Sequence, residues 1–272
     1  MKTNYYVIGD PVGHSLSPVI HNTLYGIYGL DCVYSARKVT RNDLPSFIDF
    51  AQNGPVGGFN VTMPLKKEII QYLDLLYAPG SVNTVVKTPG AQLAGYSTDA
   101  QGFYAGLQSK GYAYTNQNVV FIGYGAVTQL LAQDAMDKGA ARITVLNRTP
   151  DKAKAFAQHD RAVVDALDRI SLYMEDCDIL INTTPLGMAG TGNDFQDLSF
   201  IQMLRPSAIV CDLIYDPPTT ALLAAAQKNG NAALNGLPML IWQAFYAFEK
   251  FFGIMPTIQD YEVVHQKLMA DK

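Results

Sequence analysis

The segment Asn118–Gln129 reads Asn-Val-Val-Phe-Ile-Gly-Tyr-Gly-Ala-Val-Thr-Gln, an apolar, β-rich run followed at once by two glycines. Val119–Ile122 has the pattern of a buried parallel strand. Residues 126–138 favour a helix, and Arg142–Leu146 is apolar enough to form a second strand. Together these segments predict a strand–helix–strand unit with a glycine turn at the carboxyl end of its first strand.

The glycine turn predicts a dinucleotide site. Gly123 and Gly125 allow the backbone to approach a pyrophosphate, which the positive end of the following helix attracts. The third position of the full glycine fingerprint holds Thr128, so a tight turn without a ligand is the alternative. The phosphates are expected to pass along the residues that form the turn and open the helix: Gly123, Tyr124, Gly125, Ala126 and Val127.

The end of the second strand predicts which dinucleotide binds. NAD-binding units place a carboxylate here to accept a hydrogen bond from the ribose 2′-hydroxyl. This chain instead has Asn147, Arg148 and Thr149, with Lys152 just behind them. A guanidinium pairs well with a phosphate, so the predicted cofactor is NADP.

Composition limits the classes of function. The chain has 272 residues, 49% of them hydrophobic, and a formal charge of −4, which fits a soluble globule and argues against a nucleic-acid partner. Cys32, Cys177 and Cys211 include no Cys-x-x-Cys pair, which favours free thiols in a reducing cytosol over a disulfide or zinc framework. No signal peptide or membrane-spanning run is expected. We therefore expect a cytoplasmic protein without a metal. The composition does not give the oligomeric state, and a monomer and a homodimer are both compatible with it.

Strands and helices alternate along the rest of the chain, which predicts an α/β fold. Ser17 is predicted to cap the first helix, with Pro18 at its first position. The expected strands are 5–8, 32–39, 57–61, 179–182, 208–212 and 232–234, with a hairpin over 81–87 and 92–96. The expected helices are 18–28, 42–52, 66–76, 99–110, 150–158, 219–228, 238–251 and 258–269.

Polar side chains gather at predicted strand ends and helix starts, where ligands bind in open α/β sheets. The clusters are Ser15 with Ser17, Asn60 with Thr62 and Lys66, Asn83 with Thr84, and Thr98 with Asp99. Each residue alone fits a cap, a turn or a solvated position. Beside a nicotinamide site, Lys66 and Asp99 could deliver a proton to a carbonyl oxygen. The hydroxyls and amides suit a polyhydroxylated substrate.

Eight segments, in order, resemble the shikimate dehydrogenase family and cover nearly the whole chain. They are Gly9–Pro18, Gly58–Lys66, Ser81–Thr84, Thr98–Asp99, Asn147–Thr149, Asn182–Met188, Asp212–Tyr215 and Gly236–Leu240 with Gln243. The resemblance implies reversible, NADP-linked reduction of 3-dehydroshikimate to shikimate in aromatic amino-acid biosynthesis.

The resemblance also implies roles for individual residues. Lys66 and Asp99 would be the catalytic proton-transfer pair. Ser15, Ser17 and Tyr215 would hold the substrate carboxylate, and Asn60, Thr62, Asn83 and Gln243 its ring hydroxyls. The cofactor-binding set would be Gly123, Tyr124, Gly125, Ala126, Val127, Asn147, Arg148, Thr149, Lys152, Thr183, Leu213 and Gly236.

The family pattern further implies a discontinuous substrate domain, residues 1–101 with 238–272, carrying a mainly parallel sheet. A Rossmann-type NADP domain, residues 102–237, would be inserted between those pieces, with the active site in a cleft. The chain departs from the family at Tyr124 and Ala126, and at Ser97–Ala100, where the family usually has Asn-Thr-Asp-Gly. Two alternatives remain: a quinate/shikimate dehydrogenase and a non-catalytic NADP-binding regulatory relative.

Overall fold

The computed structural model describes residues 2–78 and 80–270. Met1, Pro79, Asp271 and Lys272, which belong to the predicted substrate domain, lie outside the described residues. The chain divides into two compact units, Met1–Gly102 with Leu240–Lys272 and Phe103–Met239. We call them the first and the second unit. Within the described ranges, no helix is long and apolar enough to cross a bilayer.

The elements follow one another along the chain with strands and helices mostly alternating. They are β1 Thr3–Gly9, α1 Ser17–Ile27, β2 Cys32–Lys38, α2 Leu44–Asn53, β3 Val56–Val61, β4 Leu75–Leu76, β5 Thr84–Lys87, β6 Leu93–Tyr96, α3 Asp99–Gln108, β7 Asn118–Ile122, α4 Ala126–Asp137, β8 Arg142–Asn147, β9 Ala162–Ala166, β10 Ile179–Asn182, β11 Ile209–Asp212, α5 Ala221–Lys228, β12 Ala232–Leu234, α6 Leu237–Phe252 and α7 Ile258–Ala270. This alternation confirms the predicted α/β class.

The first unit contains a mixed sheet in the order β2-β1-β3-β5-β6-β4. β1 pairs in parallel with β2 and β3, whereas β5 runs antiparallel to β3 and also to β6, with which it forms the predicted hairpin. The sheet buries an apolar core against α2 that includes Ile8, Leu44, Phe47, Phe59, Leu65 and Val85. In the β3–β5 pair Asn60 lies opposite Thr84, which sets two polar side chains side by side inside the unit.

The second unit contains an entirely parallel sheet in the order β12-β11-β10-β7-β8-β9. This is the doubly wound Rossmann order, in which the direction of winding reverses between β7 and β10. Its core packs Val120, Ile122, Leu180, Val210 and Leu222, among other buried residues. Ligands of such sheets bind beyond the carboxyl ends of the strands at the reversal point, so we expect a ligand to bind at the loops after β7 and β10.

Two predicted helices do not form. Residues 66–76 contain only a 3-10 turn, Glu68–Tyr72, because Leu75 pairs with Ala94 in the sheet and draws the chain into β4. Residues 150–158 form two 3-10 turns, Pro150–Ala153 and Phe156–Gln158. The strand β9 was not predicted. It pairs in parallel with β8, and residues 148–161 connect the two strands.

The predicted cap of the first helix is also wrong. α1 begins at Ser17 itself, and Leu16 occupies the cap position without a side-chain hydrogen bond. Ser15 takes over the expected role, because its Oγ accepts a hydrogen bond from the Ser17 backbone N–H at 3.3 Å. Pro18 lies at the start of the helix as expected.

Candidate active site

Lys66 and Asp99 form an ion pair in the first unit. Lys66 Nζ donates to Asp99 Oδ2 at 2.6 Å, and the two side chains are 21% and 7% exposed. Asp99 is the first residue of α3, and Lys66 lies in the turn after β3, where its carbonyl accepts from the Val82 N–H at 2.9 Å. Asp99 takes one of the three ammonium hydrogens, and the other two have no acceptor among residues 2–78 and 80–270.

Asn83 holds the other oxygen of Asp99. Asn83 Nδ2 donates to Asp99 Oδ1 at 2.8 Å and to Thr98 Oγ1 at 2.9 Å, while Asn83 Oδ1 accepts from the Thr98 backbone N–H at 2.9 Å. All three residues are buried. Since both carboxylate oxygens have a donor, the Asp99 side chain is fixed before any substrate arrives, and bonds to an ionised group are stronger than neutral ones.

Gln243 on α6 completes this group from a distant part of the chain. Its Oε1 accepts from Asn83 Nδ2 at 3.3 Å, and its Nε2 donates to the Leu240 carbonyl at 2.8 Å. A Cβ at Gly102 would lie 2.6 Å from the Gln243 backbone nitrogen, so the glycine in α3 is required for this close approach of the two helices. The structure thus brings Lys66, Asn83, Asp99 and Gln243 together.

Asn60 lies below this cluster and is 6% exposed. Its Nδ2 donates to the Asn83 carbonyl at 3.0 Å and to Thr84 Oγ1 at 2.9 Å, and its Oδ1 accepts from Tyr34 Oη at 2.6 Å. Both amide hydrogens are therefore occupied within the protein, and only one lone pair of Oδ1 is left for a substrate hydroxyl. A direct contact between Asn60 and substrate stays a prediction. Tyr34 was missed from the sequence, since an isolated Tyr in a strand carries no local signal.

The loops after β1 and β3 carry the remaining polar candidates of this unit. Ser15 Oγ donates to Ser17 Oγ at 3.2 Å, with Ser15 half-buried and Ser17 buried. Thr62 is half-buried at the end of β3, and its N–H donates to the Ile8 carbonyl at 2.9 Å. A Cβ at Gly9 would lie 2.7 Å from the Met63 carbonyl, so this glycine lets the two loops run side by side. Both serines and Thr62 therefore lie at the same edge of the sheet.

The glycine turn of the second unit fits a pyrophosphate. Gly123 has a φ of +97°, and a Cβ there would lie 2.6 Å from Thr184 Cγ2, so only glycine is accommodated. Gly125 is exposed, and a Cβ there would meet nothing within 4 Å, which leaves space above the start of α4. The predicted turn therefore leads into an accessible helix N-terminus, the usual binding place of a phosphate.

Thr128, at the third fingerprint position, anchors this turn. Its Oγ1 accepts from the Gly125 N–H at 3.1 Å and lies 2.7 Å from Thr183 Oγ1, which donates to the Ile122 carbonyl at 2.8 Å. Since the Thr183 proton is used on Ile122, Thr128 is the donor between the two hydroxyls. Thr128 is fully buried. Thr128, which leaves the glycine fingerprint incomplete, therefore forms a hydrogen-bonded connection between α4 and the end of β10.

Cationic side chains follow β8. Arg148, Thr149 and Lys152 are exposed, and Asn147 Nδ2 donates to the Thr149 carbonyl at 2.7 Å, which shapes the turn. The exposed guanidinium at the strand end is where the sequence predicts the 2′-phosphate. Tyr124, whose size suggested a narrow approach for the cofactor, is half-buried, with its ring 6.0 Å from the ring of Phe156.

The other predicted cofactor and substrate residues of the second unit follow β10, β11 and β12. The Leu213 N–H donates to the Asn182 carbonyl at 3.1 Å, and the Gly236 N–H donates to the Ile214 carbonyl at 2.9 Å. A Cβ at Gly236 would overlap the Leu213 carbonyl, so this crossing needs glycine. Tyr215 is half-buried, and burial raises the pKa of its phenol.

Asp212 at the end of β11 organises these loops. Its carboxylate accepts from Thr220 Oγ1 at 2.7 Å, from Asn182 Nδ2 at 3.1 Å and from the Ile214 N–H at 3.2 Å. Burial raises the pKa of Asp212 to about 6, although the three hydrogen bonds act in the opposite direction.

Among residues 2–78 and 80–270, no group of three His, Cys, Asp or Glu side chains could hold a metal ion.

Comparisons with known proteins agree with this geometry. Residues 7–85 match the model of the shikimate dehydrogenase substrate binding domain, residues 107–187 that of shikimate / quinate 5-dehydrogenase, and residues 236–269 that of the shikimate 5′-dehydrogenase C-terminal domain. The shikimate dehydrogenase (NADP(+)) of Pyrococcus furiosus is 38% identical over 253 residues, which cover 92% of this chain and 90% of the relative.

Solved structures show the same similarity. The shikimate 5-dehydrogenase of Thermus thermophilus in complex with NADP(H) and shikimate is 29% identical, with a TM-score of 0.85 over 98% of this chain and 99% of that chain. The ligand-free 5-ketofructose reductase of Gluconobacter sp. strain CHM43 is 26% identical, with a TM-score of 0.88 over 100% and 99%. Both sequence and structure place this chain in the shikimate dehydrogenase family.

Proposed function

We propose that this protein catalyses the reversible, NADP-dependent reduction of 3-dehydroshikimate to shikimate, a step of aromatic amino-acid biosynthesis. The observation that carries the proposal is the partly exposed Lys66–Asp99 pair, whose carboxylate is held from the other side by the neutral Asn83 side chain. The relatives named as NADP-dependent shikimate dehydrogenases support the same reaction.

Lys66 and Asp99 together transfer the proton. NADP supplies the hydride chemistry when bound. In the direction of reduction, Lys66 donates a proton to the ketone oxygen, which stabilises the charge that develops on that oxygen. Asp99 holds the ammonium in place, and in the reverse direction the pair receives the hydroxyl proton. Asn83 keeps the Asp99 carboxylate aimed at Lys66 through its 2.8 Å hydrogen bond.

Neutral polar side chains bind the rest of the substrate. Ser15 and Ser17, with Tyr215, are assigned to the carboxylate, and the half-buried side chains of Thr62 and Gln243 to the ring hydroxyls. Asn60 and Asn83 are assigned to the hydroxyls as well, Asn83 through its contact with the catalytic pair. Such directional partners discriminate well, because a substrate lacking one hydroxyl leaves a buried polar group unpaired.

The second unit binds the cofactor. The N-terminus of α4 and the turn Gly123–Val127 receive the pyrophosphate, and Asn147, Arg148, Thr149 and Lys152 receive the 2′-phosphate. Thr183, Leu213 and Gly236 would complete the set of residues that holds the cofactor. We infer accordingly that residues 1–101 with 238–272 form the substrate domain and residues 102–237 the NADP domain.

One assay tests the reaction and its alternatives. The purified protein is mixed with shikimate or quinate and with NADP or NAD, and the absorbance of reduced nicotinamide is followed; 5-ketofructose with NADPH is a further arm, since that reductase shares the fold. The expected result is the highest kcat/KM with shikimate and NADP. Preference for quinate or 5-ketofructose would reassign the substrate. NADP binding without turnover of any substrate would identify a regulatory relative.

We infer that the protein works in the cytoplasm as a monomer or homodimer. Cys32, Cys177 and Cys211 are all free, and burial raises the pKa of Cys177 to about 12, so that thiol is unreactive. Light scattering of the purified protein gives the oligomeric state, and a tetramer or larger assembly would contradict this assignment.

A further inference from the structure

A continuous path of buried polar groups crosses the sheet of the first unit and ends at the catalytic pair. It begins at Tyr34 on β2 and passes through Asn60 on β3, Thr84 on β5 and Asn83 to Asp99. These five residues are between 0% and 6% exposed. Buried polar groups of this kind must satisfy one another, because water cannot.

The first bond of the path has a fixed direction. Tyr34 Oη and Asn60 Oδ1 lie 2.6 Å apart, and burial raises the pKa of Tyr34 well above its ordinary value. The phenol therefore keeps its proton. The Asn83 carbonyl can only accept, and it takes a hydrogen from Asn60 Nδ2 at 3.0 Å, so the Asn60 amide presents its oxygen to Tyr34, which donates to it. Its Nδ2 then faces the other way and donates to Thr84 Oγ1 at 2.9 Å.

The following hydrogen bonds run in the same direction, from donor to acceptor towards Asp99. Thr84 Oγ1, which accepts from Asn60, donates its own hydrogen to Asn83 Oδ1 at 2.9 Å. The Asn83 oxygen accepts from Thr84 and also from the Thr98 backbone N–H at 2.9 Å, and its Nδ2 is turned towards Asp99 Oδ1 at 2.8 Å. Four consecutive donor-to-acceptor steps lead from Tyr34 to the carboxylate that holds Lys66. Reversal of one amide would place two donors or two acceptors face to face.

We propose that Tyr34 is a positioning residue for the acid–base pair, because its hydroxyl donates the first of the hydrogen bonds that hold Asn60, Thr84, Asn83 and Asp99 in one arrangement. The proposal rests on the proposed function, in which Lys66 and Asp99 transfer the proton. Tyr34 does not touch the pair itself, and its effect passes through Asn60, Thr84 and Asn83.

His21 on α1 holds the ring of Tyr34. The two rings are stacked with centroids 4.2 Å apart and an interplanar angle of 6°. His21 is fully buried, its two nitrogens have no hydrogen-bond partner in the part of the chain that the structure describes, and burial lowers the pKa of its imidazole to about 3. The ring is therefore neutral, and it fixes Tyr34 by its shape rather than by a charge.

Tyr34→Phe tests the proposal, because it removes the hydroxyl and keeps the stacked ring. We expect kcat for shikimate oxidation to fall roughly tenfold, with little change in the KM for NADP. The kinetic isotope effect with shikimate deuterated at the carbon that loses hydride should increase, because a misplaced pair slows the chemical step. A purely structural role would lower the melting temperature and leave both kcat and the isotope effect unchanged.

Tyr25→Phe is the matched control. Tyr25 is buried in the same aromatic cluster, and its hydroxyl has no hydrogen-bond partner among the described residues. Removal of this hydroxyl should leave kcat and the isotope effect at the wild-type values. An equal loss in both variants would overturn the proposal, since it would point to the aromatic cluster and not to the Tyr34–Asn60 bond.

Thr84 offers a second test that does not depend on the folding of Tyr34→Phe. Thr84→Val breaks the second and third bonds of the path and should reproduce the loss of kcat and the larger isotope effect, whereas Thr84→Ser should retain wild-type values. The double variant Tyr34→Phe/Thr84→Val should lose no more than the larger single loss, because both changes interrupt one path. Additive losses would contradict the path.

Wild-type turnover separates this inference from the proposed function. If the wild-type protein does not oxidise shikimate with NADP, the proposed function fails. If it does so, and both Tyr34→Phe and Thr84→Val match it in kcat and isotope effect, the positioning role alone is overturned.

Discussion

Asp99 in the first unit is 5% exposed and accepts hydrogen bonds at both carboxylate oxygens, whereas Gly125 and Arg148 in the second unit are exposed. The proton-transfer site thus consists of side chains that hydrogen-bond to one another in the folded protein. The cofactor site is built from a backbone turn, a helix N-terminus and solvated cations.

The difference follows from the two tasks. A proton must pass between atoms at hydrogen-bond distance, so the carboxylate and the ammonium need fixed positions, and in a buried place only further polar partners can fix them. A dinucleotide phosphate brings its own charge, and accessible N–H groups with a nearby guanidinium attract it without such a network. Substitutions should therefore change turnover in the first unit and cofactor affinity in the second.

Apart from the loss of Lys66, the largest effect is expected for Asp99→Asn. The amide has no charge to hold the Lys66 ammonium and would place its NH2 group against one of the two donors, Lys66 Nζ or Asn83 Nδ2, so kcat should fall by roughly 100- to 1,000-fold. The affinity for NADPH, measured by fluorescence titration, should stay at the wild-type value. Asp49→Asn, at an exposed position of α2, is the control and should retain full activity. Weakened NADPH binding in Asp99→Asn would contradict the separation of the two tasks.

Arg148→Ala should act on the cofactor alone. Loss of the guanidinium should weaken NADP about 10- to 100-fold and leave NAD nearly unchanged, since only NADP carries the 2′-phosphate. Isothermal titration with both cofactors measures the ratio. Lys228→Ala removes a positive charge from the last turn of α5 and serves as the control for net charge. Equal losses for NADP and NAD would refute the phosphate contact.

Thr128→Val should weaken both cofactors by roughly three- to tenfold. The valine leaves the Gly125 N–H without its acceptor and Thr183 without its donor, so the turn loses the two bonds that hold it against β10. Thr128→Ser keeps the hydroxyl and should bind NADP like the wild type. If valine at this position binds NADP and NAD normally, the anchoring role of Thr128 is wrong.

The smallest effect concerns acid stability. Burial lowers the pKa of His21 to about 3, so the folded protein binds no proton there while the unfolded chain does below its ordinary value of 6.5. This contribution to stability is complete above pH 6.5 and declines as the pH falls towards 3, by about 1 kcal/mol between pH 6.5 and 5.5. Urea unfolding across this range measures it.

His21→Phe supplies the comparison for that measurement. The phenyl ring keeps an aromatic face beside Tyr34 and cannot titrate, so its unfolding free energy should decline less steeply over the same pH range than that of the wild type. Parallel curves for the two proteins would show that another group carries the acid dependence.

Much of the fold could be predicted from local pattern. The unit β7–α4–β8 was predicted to within one residue at each end, because an apolar run, two glycines and a helix-forming segment are all local signals. β4 and β9 could not be predicted in this way. Each depends on a partner strand distant in the sequence, and residues 66–76 have a composition that also suits a helix.

The residues of the candidate site could likewise be predicted from the sequence only in part. The residue types of Lys66, Asn83 and Asp99 indicated chemistry, and the structure brings them together. Tyr34 and Thr128 could not be found, because their importance lies in which atom donates to which. Thr128 carried a faint signal as the departure from the third glycine. The roles assigned to all these residues stay predictions until variants are measured.

The most direct test of the account is a single-turnover experiment on Lys66→Ala. NADPH is bound to the variant first, its dissociation constant is measured on the same preparation, and 3-dehydroshikimate is then added in excess while nicotinamide absorbance is followed. The account predicts an unchanged dissociation constant and hydride transfer at least about 1,000-fold slower than in the wild type. Transfer at the wild-type rate, or a loss confined to NADPH binding, would contradict it.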